Sequence, residues 1–267
     1  MARRERFDSG DPSPWARPGF IAAAVVIVVA VACGVYALTT TGSHRNSAVP
    51  ARTAAPHTVT KATTNRTGGV VKAKTAAKGT DGCDDPPGPQ AVPTVAPAGI
   101  TWTLWRTVVL PTSPTAGPLF VQGNTACCFA HSPLGALIAA VQIDMRFHTA
   151  ETAEWKTVVY GQMVPSPGRD KLAAEVEALV KSDPAQAAAP PAPGSIAQIA
   201  GFSFISYTTQ TAVIDLVVTG SGRYAVGPVT VSWVGGDWKL DVQPAGTVTG
   251  PAQPISSTVG YVAWSGV

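Results

Sequence analysis

The sequence is poor in the residues from which most metal centres and many active sites are built. Its 267 residues include 4 histidines and 4 cysteines, and charged residues make up 13%. A structural zinc site needs about four ligands in paired spacings such as Cys-x-x-Cys, and the chain has no such pair. It also lacks an internal repeat and a clear catalytic motif. We therefore expect neither a metal centre nor a cofactor, and we do not expect an enzyme.

Charge of each sign is unevenly distributed along the chain. Up to Gly82 there are 11 basic and 4 acidic residues, a net charge of +7; from Cys83 onward there are 8 basic and 12 acidic residues, a net charge of −4. The sequence pI of 8.7 thus describes the N-terminal part and conceals a mildly acidic remainder. The basic total is no argument for nucleic-acid binding, and direct contact with nucleic acid is not expected.

A membrane span is predicted near the N-terminus. Gly19–Leu38 is a run of twenty residues without a charge, and at about 1.5 Å per residue it matches the roughly 30 Å hydrocarbon layer. Four arginines precede it, and the flank TTTGSH that follows it is uncharged. The positive-inside rule therefore places residues 1–18 in the cytoplasm as a tail and the remainder outside the cell membrane.

Two alternatives to this single-pass anchor remain open. Ala30-Val31-Ala32 has the small-x-small form that signal peptidase accepts, and Cys33 directly after it would permit a lipoprotein. Apolar residues continue past that point through Val35 and Leu38, which favours an uncleaved helix. All three possibilities export the rest of the chain.

Residues 39–98 have the composition of a disordered, flexible stalk. They are rich in Ala, Thr, Pro, Gly and Lys and have few large apolar side chains, so they cannot bury enough surface to offset the entropy of ordering them. The basic residues of the stalk could contact anionic lipids or cell-wall polymers. The alternative is a solvated linker that its own charge keeps extended.

Residues 99–267 have the pattern of one folded domain. Ile100–Pro111 alternates and predicts one edge strand; helices are predicted over 133–147, 150–163 and, after the breaker PSPGRD, 171–181. The segment DPAQAAAPPAPG predicts a loop, and four antiparallel strands follow in FSFISY, TAVIDLVVTG, RYAVGPVTVSW and DWKLDVQ. This order predicts an α+β domain in which helices pack on one face of a curved antiparallel sheet.

The stretch TACCFAHSPLGALIAAV contains the one cluster of cysteine and histidine residues in the domain. Ser132 followed by Pro133 is the expected opening of a helix, because serine caps the first turn and proline suits its first position. His131 lies one residue before the cap, so we predict a structural role for it. The stretch is therefore interpreted as a helix start and not as a metal or nucleophile site.

A disulfide is the more natural use of the cysteines in an exported domain. Cys83 paired with Cys127 or with Cys128 would tie the end of the stalk to the start of the first helix. A bond between the adjacent Cys127 and Cys128 would be strained. A cysteine nucleophile would need a base and an orienting partner, and nothing in the sequence indicates them.

Several segments together resemble a known family. FAHSPLGALIAA, IAGF, TAVIDLVV, VTVSWVGGDWKL and the closing GYVAWSGV are similar to a family of actinobacterial membrane-anchored proteins of unassigned function, often linked with mobile conjugative elements. The hairpin VTVSWVGGDWKL also resembles the last strands of the nuclear-transport-factor-2-like fold, in which a Trp-x-x-Gly-x-Trp-Lys pattern is common. This resemblance implies a cone of helices against a bent antiparallel sheet.

The plan of cytoplasmic tail, single span, stalk and outer domain resembles the assembly-factor subunits of conjugative type IV secretion systems. That resemblance implies a scaffold that contacts the membrane, envelope proteins of a transfer apparatus and other copies of itself. Because one fold serves many roles, the functional step is an analogy. An exported lipoprotein-like binding module is an alternative, with tryptophans as a stacking surface for sugars or a peptide. Most of them are better explained as core: Trp102, Trp105, Trp155, Trp233, Trp238 and Trp264.

The same fold also carries small-molecule enzymes in which a buried acid moves protons. The candidates here would be Asp144, Asp215 and Asp237. Asp237 follows two glycines and is interpreted as a solvated turn residue, Asp215 as a salt-bridged or edge residue, and Asp144 as a structural residue near Arg146 and His148. No Tyr-Asp or His-Asp pair at the family's spacing is recognisable, so the enzyme remains the alternative to the scaffold.

Overall fold

The computed structural model describes Cys83 and residues 87–267, apart from positions 190 and 193. Within these residues no helix is long and apolar enough to cross a membrane. The predicted anchor at Gly19–Leu38 and most of the predicted stalk lie outside the described residues.

The described chain has an α+β architecture. Its strands are β1 (Thr101–Trp105), β2 (Val108–Thr112), β3 (Phe120–Gln122), β4 (Thr125–Cys127), β5 (Gln198–Tyr207), β6 (Thr211–Gly220), β7 (Arg223–Val234), β8 (Asp237–Leu240), β9 (Gln253–Ile255) and β10 (Val262–Ala263). Its helices are α1 (Pro133–His148), α2 (Trp155–Gln162), α3 (Pro167–Ser182) and the short α4 (Pro184–Ala188).

The main sheet is antiparallel and follows the order β10-β5-β6-β7-β8, with β9 paired to the other end of β7. Strands β5, β6 and β7 have 10, 10 and 12 residues, and short connections at 208–210 and 221–222 join them. The register of β5 against β6 shifts between Ile199 and Gly201 and again between Phe204 and Ser206. Such bulges bend a strand and increase its twist.

Helix α1 is the centre of the domain. Thirteen of its 16 residues are buried, and it contacts β6, β7 and β8 of the main sheet as well as β2 and β4. Small side chains permit this close approach: at Gly135 an added Cβ would lie 1.9 Å from the carbonyl oxygen of Ala130. A helix that is apolar nearly all round is one that is covered on every side.

Two predicted boundaries are wrong. Ile100–Pro111 is not one edge strand: it forms the hairpin β1–β2, which turns at Arg106 with φ of 54° and is separate from the main sheet. The second helix begins at Trp155, five residues later than predicted.

The start of α3 and two further features differ from the prediction. Helix α3, predicted over 171–181, begins four residues earlier at Pro167, inside the segment PSPGRD that predicts a breaker. The short helix α4 occupies part of the predicted loop, and the hairpin β3–β4 was not predicted.

The C-terminal segment completes the sheet. Val262 and Ala263 pair with Phe202 and Gly201 of β5, which puts β10 at the edge. Trp264 follows and is only 5% exposed, with its ring against Trp102 and Phe202.

Candidate functional site at the start of the first helix

The sulfur atoms of three cysteines lie together where the N-terminal segment meets the domain. Cys83 is buried and forms a disulfide with Cys128, with their Cα atoms 5.3 Å apart. Cys127 is not part of this disulfide; it is half-buried, and its Sγ lies 3.8 Å from that of Cys128. We call this group and the residues that hold it, namely 87–90, His131 and Asp237, the junction.

Asp237 fixes the loop that carries Cys128. Its carboxylate accepts hydrogen bonds from the backbone N–H of Cys128 (2.8 Å), of Phe129 (3.0 Å) and of Trp238 (2.9 Å). The side chain is 4% exposed. The prediction that Asp237 is a solvated turn residue is therefore wrong: it begins β8 and joins this strand to the segment before α1.

Residues 87–90 lie along the domain at the junction. Pro87 forms a parallel bridge with His131, and the side-chain amide of Gln90 donates to the His131 carbonyl oxygen at 2.7 Å. The hydroxyl of Tyr207 donates to Gln90 at 2.9 Å. Residues 83 and 87–90, which composition assigned to the stalk, thus contact the folded domain.

The ring of His131 is held by packing and by one polar contact. It stacks on Trp233 with ring centroids 4.0 Å apart and meets the edge of Trp238, while Nε2 contacts the Thr209 carbonyl oxygen. The indole N–H of Trp238 donates to the Ala130 carbonyl oxygen at 3.0 Å. These contacts attach the residues just before α1 to the β7–β8 hairpin.

Helix α1 begins with Ser132 as its cap and Pro133 as its first residue. The Ser132 Oγ accepts a hydrogen bond from the Gly135 N–H at 3.1 Å. Ser132 is 1% exposed, so the N–H cannot find water if this acceptor is lost.

We expect Ser132→Ala to lower the free energy of unfolding by about 1–2 kcal/mol, the upper part of the range for cap substitutions. The matched control is Ser166→Ala at the start of α3, where a half-buried serine makes the same bond to the Arg169 N–H. Urea denaturation of both variants should show the larger loss at Ser132. Equal losses of unfolding free energy in the two variants would mean that burial does not strengthen the contribution of the Ser132 cap.

The disulfide is expected to contribute strongly to stability. Cys83 and Cys128 are 45 residues apart in sequence, and closing such a loop stabilises by roughly 3–4 kcal/mol in the chain-entropy model. Cys83→Ala should therefore lower the free energy of unfolding by about that amount, measured by denaturation without reductant. Cys127→Ala is the control and should cost less than half as much; a Cys83→Ala variant as stable as the wild type would contradict the expectation.

A model of a family described only as a domain of unknown function, DUF8175, matches residues 61–263. The chain belongs to this family. No curated protein and no solved structure matches the chain significantly. The family match begins ahead of Cys83, so the DUF8175 region includes the whole junction.

Asp144 of the DUF8175 domain is buried on α1 and lies one helical turn before His148. Its Oδ1 is 3.3 Å from His148 Nε2, and the His148 side chain is 38% exposed. Burial acts to lower the pKa of His148, but the charge of Asp144 and the hydrogen bond to it outweigh that effect and raise this pKa above 6.5. Asp144 therefore has a structural partner.

This pair predicts a pH dependence. Because the folded pKa of His148 is raised, the stabilisation is fully present below about pH 6.5 and is lost as pH rises through the folded pKa. We expect His148→Asn to cost on the order of 0.5–1 kcal/mol at pH 5.5, a figure reduced for solvent screening. The difference in unfolding free energy from the wild type should shrink by pH 9. A constant difference over this range would show that the ion pair does not contribute.

Asp215 lies apart from the other two aspartates of the DUF8175 domain. It pairs with Ser203 on β5 and Pro228 on β7, so it lies on an inner strand, and the predicted edge position is wrong. The fully buried Ile214 is its neighbour on the opposite face, and burial raises the pKa of Asp215. Within the described part of the chain no salt bridge to Asp215 is found. The three aspartates thus lie in three separate environments and do not share a partner among the described residues.

Arg146 is a buried residue whose role the sequence did not indicate. Its guanidinium lies 4.3 Å from the centre of the Trp105 ring and donates to Gln142 at 2.9 Å and to the Gly123 carbonyl oxygen at 3.1 Å. Asn124 in turn donates to the Arg146 carbonyl oxygen. Burial, and next the charge of Arg106, lower the pKa of Arg146 to about 10, so it stays protonated and holds the β3–β4 turn against α1.

Most of the tryptophans are explained by the core. Trp155, Trp238 and Trp264 are buried, and Trp102, Trp105 and Trp233 pack against the same cluster. They therefore do not form one exposed stacking surface.

The apolar surface of the DUF8175 domain beside the junction consists of β3 and the residue just before it. Leu119, Phe120 and Val121 are 50%, 50% and 47% exposed, although successive residues of a strand face opposite sides. Phe120 pairs with Cys127, so this apolar strand lies next to the three cysteines. Among the described strands it pairs with β4 alone.

Proposed function

We propose that this protein is a membrane-anchored extracytoplasmic scaffold or assembly protein of a conjugative DNA-transfer or secretion apparatus. The observation that carries the proposal is the junction: the N-terminal segment is bonded covalently at Cys83 to a loop that adjoins the exposed apolar strand β3. A buried disulfide suits an oxidising compartment outside the cytoplasm. The uncharged run Gly19–Leu38 supplies the anchor.

Strand β3 supplies a surface for protein contacts. Its two exposed apolar side chains, Phe120 and Val121, and Leu119 just before it lie in a stretch, Thr107 to Ile143, that has no Asp, Glu, Lys or Arg. An exposed apolar strand with an open edge is a site at which another chain can add. Envelope proteins of the apparatus and second copies of this protein are the proposed occupants, while the anchor makes the membrane contact.

The finer fold within this proposal is the nuclear-transport-factor-2-like cone. Helices that precede four long or paired antiparallel strands support it, as do the bulges in β5. Trp233 and Trp238 of the hairpin pattern are directly opposite each other on β7 and β8.

A ligand-binding module is the second candidate, and one cleft favours it. The cleft has a volume of about 380 Å³ and is lined by Ala200, Thr219, Tyr224, Thr258, Trp264 and Ser265, among others. Its lining offers hydroxyl groups and aromatic rings but no aspartate, glutamate or histidine. Such a site suits binding of a neutral ligand better than acid–base catalysis.

The orientation of the chain is tested by cysteine labelling on intact cells. A membrane-impermeant maleimide should label a Thr60→Cys variant above the wild-type background. A Ser9→Cys variant in the predicted cytoplasmic tail is the control and should react only after lysis. Labelling of Thr60→Cys only after lysis would contradict the orientation, and a mature protein that begins at Cys33 would contradict the uncleaved anchor.

Conservative substitution of the aspartates distinguishes a scaffold function from an enzyme function. Asp144→Asn and Asp215→Asn should leave DNA transfer within about threefold of the wild type, because neither side chain would act on a substrate. Asp237 is unsuitable for this comparison since its loss disturbs the junction itself. Abolished transfer by Asp144→Asn, in a protein that is folded and exported normally, would favour the enzyme.

A further inference from the structure

The three cysteines of the junction lie close enough for their sulfur atoms to react with one another. All three Sγ atoms lie within 4.8 Å of one another, while the bond observed is the one between Cys83 and Cys128. Cys127 is half-buried and not part of that bond, so water and base can reach it. A thiolate beside a disulfide is the arrangement that thiol–disulfide exchange requires.

We infer that Cys83, Cys127 and Cys128 form a thiol–disulfide exchange site that can hold the N-terminal segment at either of two adjacent residues. Solvent takes the proton of the Cys127 thiol, and the thiolate attacks Sγ of Cys83. A bond forms between Cys83 and Cys127 as the bond between Cys83 and Cys128 breaks. The electron pair leaves on Sγ of Cys128, which takes a proton from solvent. No oxidant or reductant is consumed.

Backbone geometry selects Cys83 as the sulfur that is attacked. Attack on Cys128 would join two consecutive residues, whose Cα atoms are about 3.8 Å apart, below the usual 4.4–6.8 Å range of disulfides. Cys83 and Cys128 are 5.3 Å apart at Cα, well inside that range. Exchange therefore transfers the disulfide bond of Cys83 from Cys128 to Cys127.

The two isomers close loops of almost the same length. Cys83 and Cys128 are 45 residues apart, and a bond to Cys127 would shorten the loop by one residue. The loop-entropy contribution depends on the logarithm of loop length, so it does not distinguish the isomers. Local geometry therefore decides between the two disulfide isomers. Cys128 has a left-handed backbone with φ of 66°, a conformation that is unfavourable for a residue with a side chain.

The inference is tested on the full chain, purified from membranes without reductant. One sample is quenched with acid at once, and another is first held at pH 8.5 for several hours, since uncatalysed disulfide rearrangement takes minutes to hours. Thiols are blocked with N-ethylmaleimide at pH 6, and the disulfide is then reduced and labelled with iodoacetamide. Fragmentation of the peptide between positions 127 and 128 shows which cysteine was the thiol.

We expect N-ethylmaleimide on Cys127 in one part of the sample and on Cys128 in the other. The minor isomer should exceed about a tenth of the protein after incubation, in line with isomers that differ by less than about tenfold. N-ethylmaleimide on Cys127 alone, before and after incubation, would overturn the inference.

A Cys128→Ser variant gives a second readout. Cys83 and Cys127 should then form a disulfide, with an unfolding midpoint close to that of the wild type and well above that of Cys83→Ala. Two thiols at Cys83 and Cys127 in a folded Cys128→Ser protein would also overturn the inference. If the variant does not fold, the wild-type labelling decides alone. The test does not depend on the scaffold proposal, because it follows sulfur atoms and not DNA transfer.

Discussion

Trp264→Ala is expected to lower the free energy of unfolding by roughly 3–5 kcal/mol, as replacement of large buried aromatic residues does. Trp264 is 5% exposed, and its ring lies 4.8 Å from that of Trp102 and 5.5 Å from that of Phe202. It thereby joins the C-terminal segment to both β1 and β5. Loss of the ring leaves a cavity between the hairpin and the main sheet.

Chemical denaturation of Trp264→Ala beside Val259→Ala measures this effect. Val259 is in the same C-terminal segment but 87% exposed, so its substitution should change stability by less than about 0.5 kcal/mol. Deletion of residues 260–267 should cost at least as much as Trp264→Ala because it also removes β10. A Trp264→Ala protein as stable as Val259→Ala would show that the C-terminal segment is not part of the core.

Asp237→Ala is expected to cost roughly 3–6 kcal/mol, because two buried N–H groups lose their acceptor at about 1–3 kcal/mol each and a third, part-buried N–H group adds less. These donors belong to Cys128, Phe129 and Trp238, so the variant should loosen the junction as well as β8. The unfolding transition and the reactivity of the Cys83–Cys128 disulfide toward a reductant report the two effects separately.

Asp215→Ala is the control for Asp237→Ala. Asp215 is also an aspartate on the main sheet, but it is half-buried and forms no salt bridge with any residue the structure describes. Its substitution should cost less than about 1 kcal/mol and leave reduction of the disulfide unchanged. Similar losses for both variants would mean that the bonds to the loop before α1 do not stabilise the domain.

Helix α1 was predictable from the residues at its start. Ser132 and Pro133 open α1, and its predicted extent to residue 147 is confirmed to within one residue. The same pair recurs at Ser166 and Pro167, where the structure begins α3, although PSPGRD predicts a breaker. Serine followed by proline predicts a helix start wherever an amphipathic pattern follows, so local residues also indicate the start of α3.

The hairpin β1–β2 could not be recognised from its residues. Its turn lies at Arg106, which has φ of 54° in a region where glycine or asparagine is the usual residue. Tertiary contacts hold it there: Arg106 bonds to the Thr149 carbonyl oxygen and to Glu154. No glycine, asparagine or aspartate lies at this turn, so the alternating pattern of Ile100–Pro111 predicts one continuous strand.

The junction depends on contacts between residues distant in sequence. The bonds from Cys128 and Phe129 to Asp237 cross more than a hundred residues, and Gly235-Gly236 before Asp237 gives the signal of a solvated turn. The sequence did narrow the partner of Cys83 to two adjacent cysteines. It could not choose between them, because the choice depends on the backbone conformation of Cys128.

The proposed scaffold is tested most directly by crosslinking in living cells. A photoreactive amino acid is placed at Phe120 on the apolar strand, and at Val259 as an exposed apolar control. We expect adducts at position 120 with an envelope component of the same transfer apparatus or with a second copy of this protein, and none at position 259. No adduct at 120 above the level at 259, together with loss of DNA transfer in a folded Asp144→Asn protein, would contradict the scaffold.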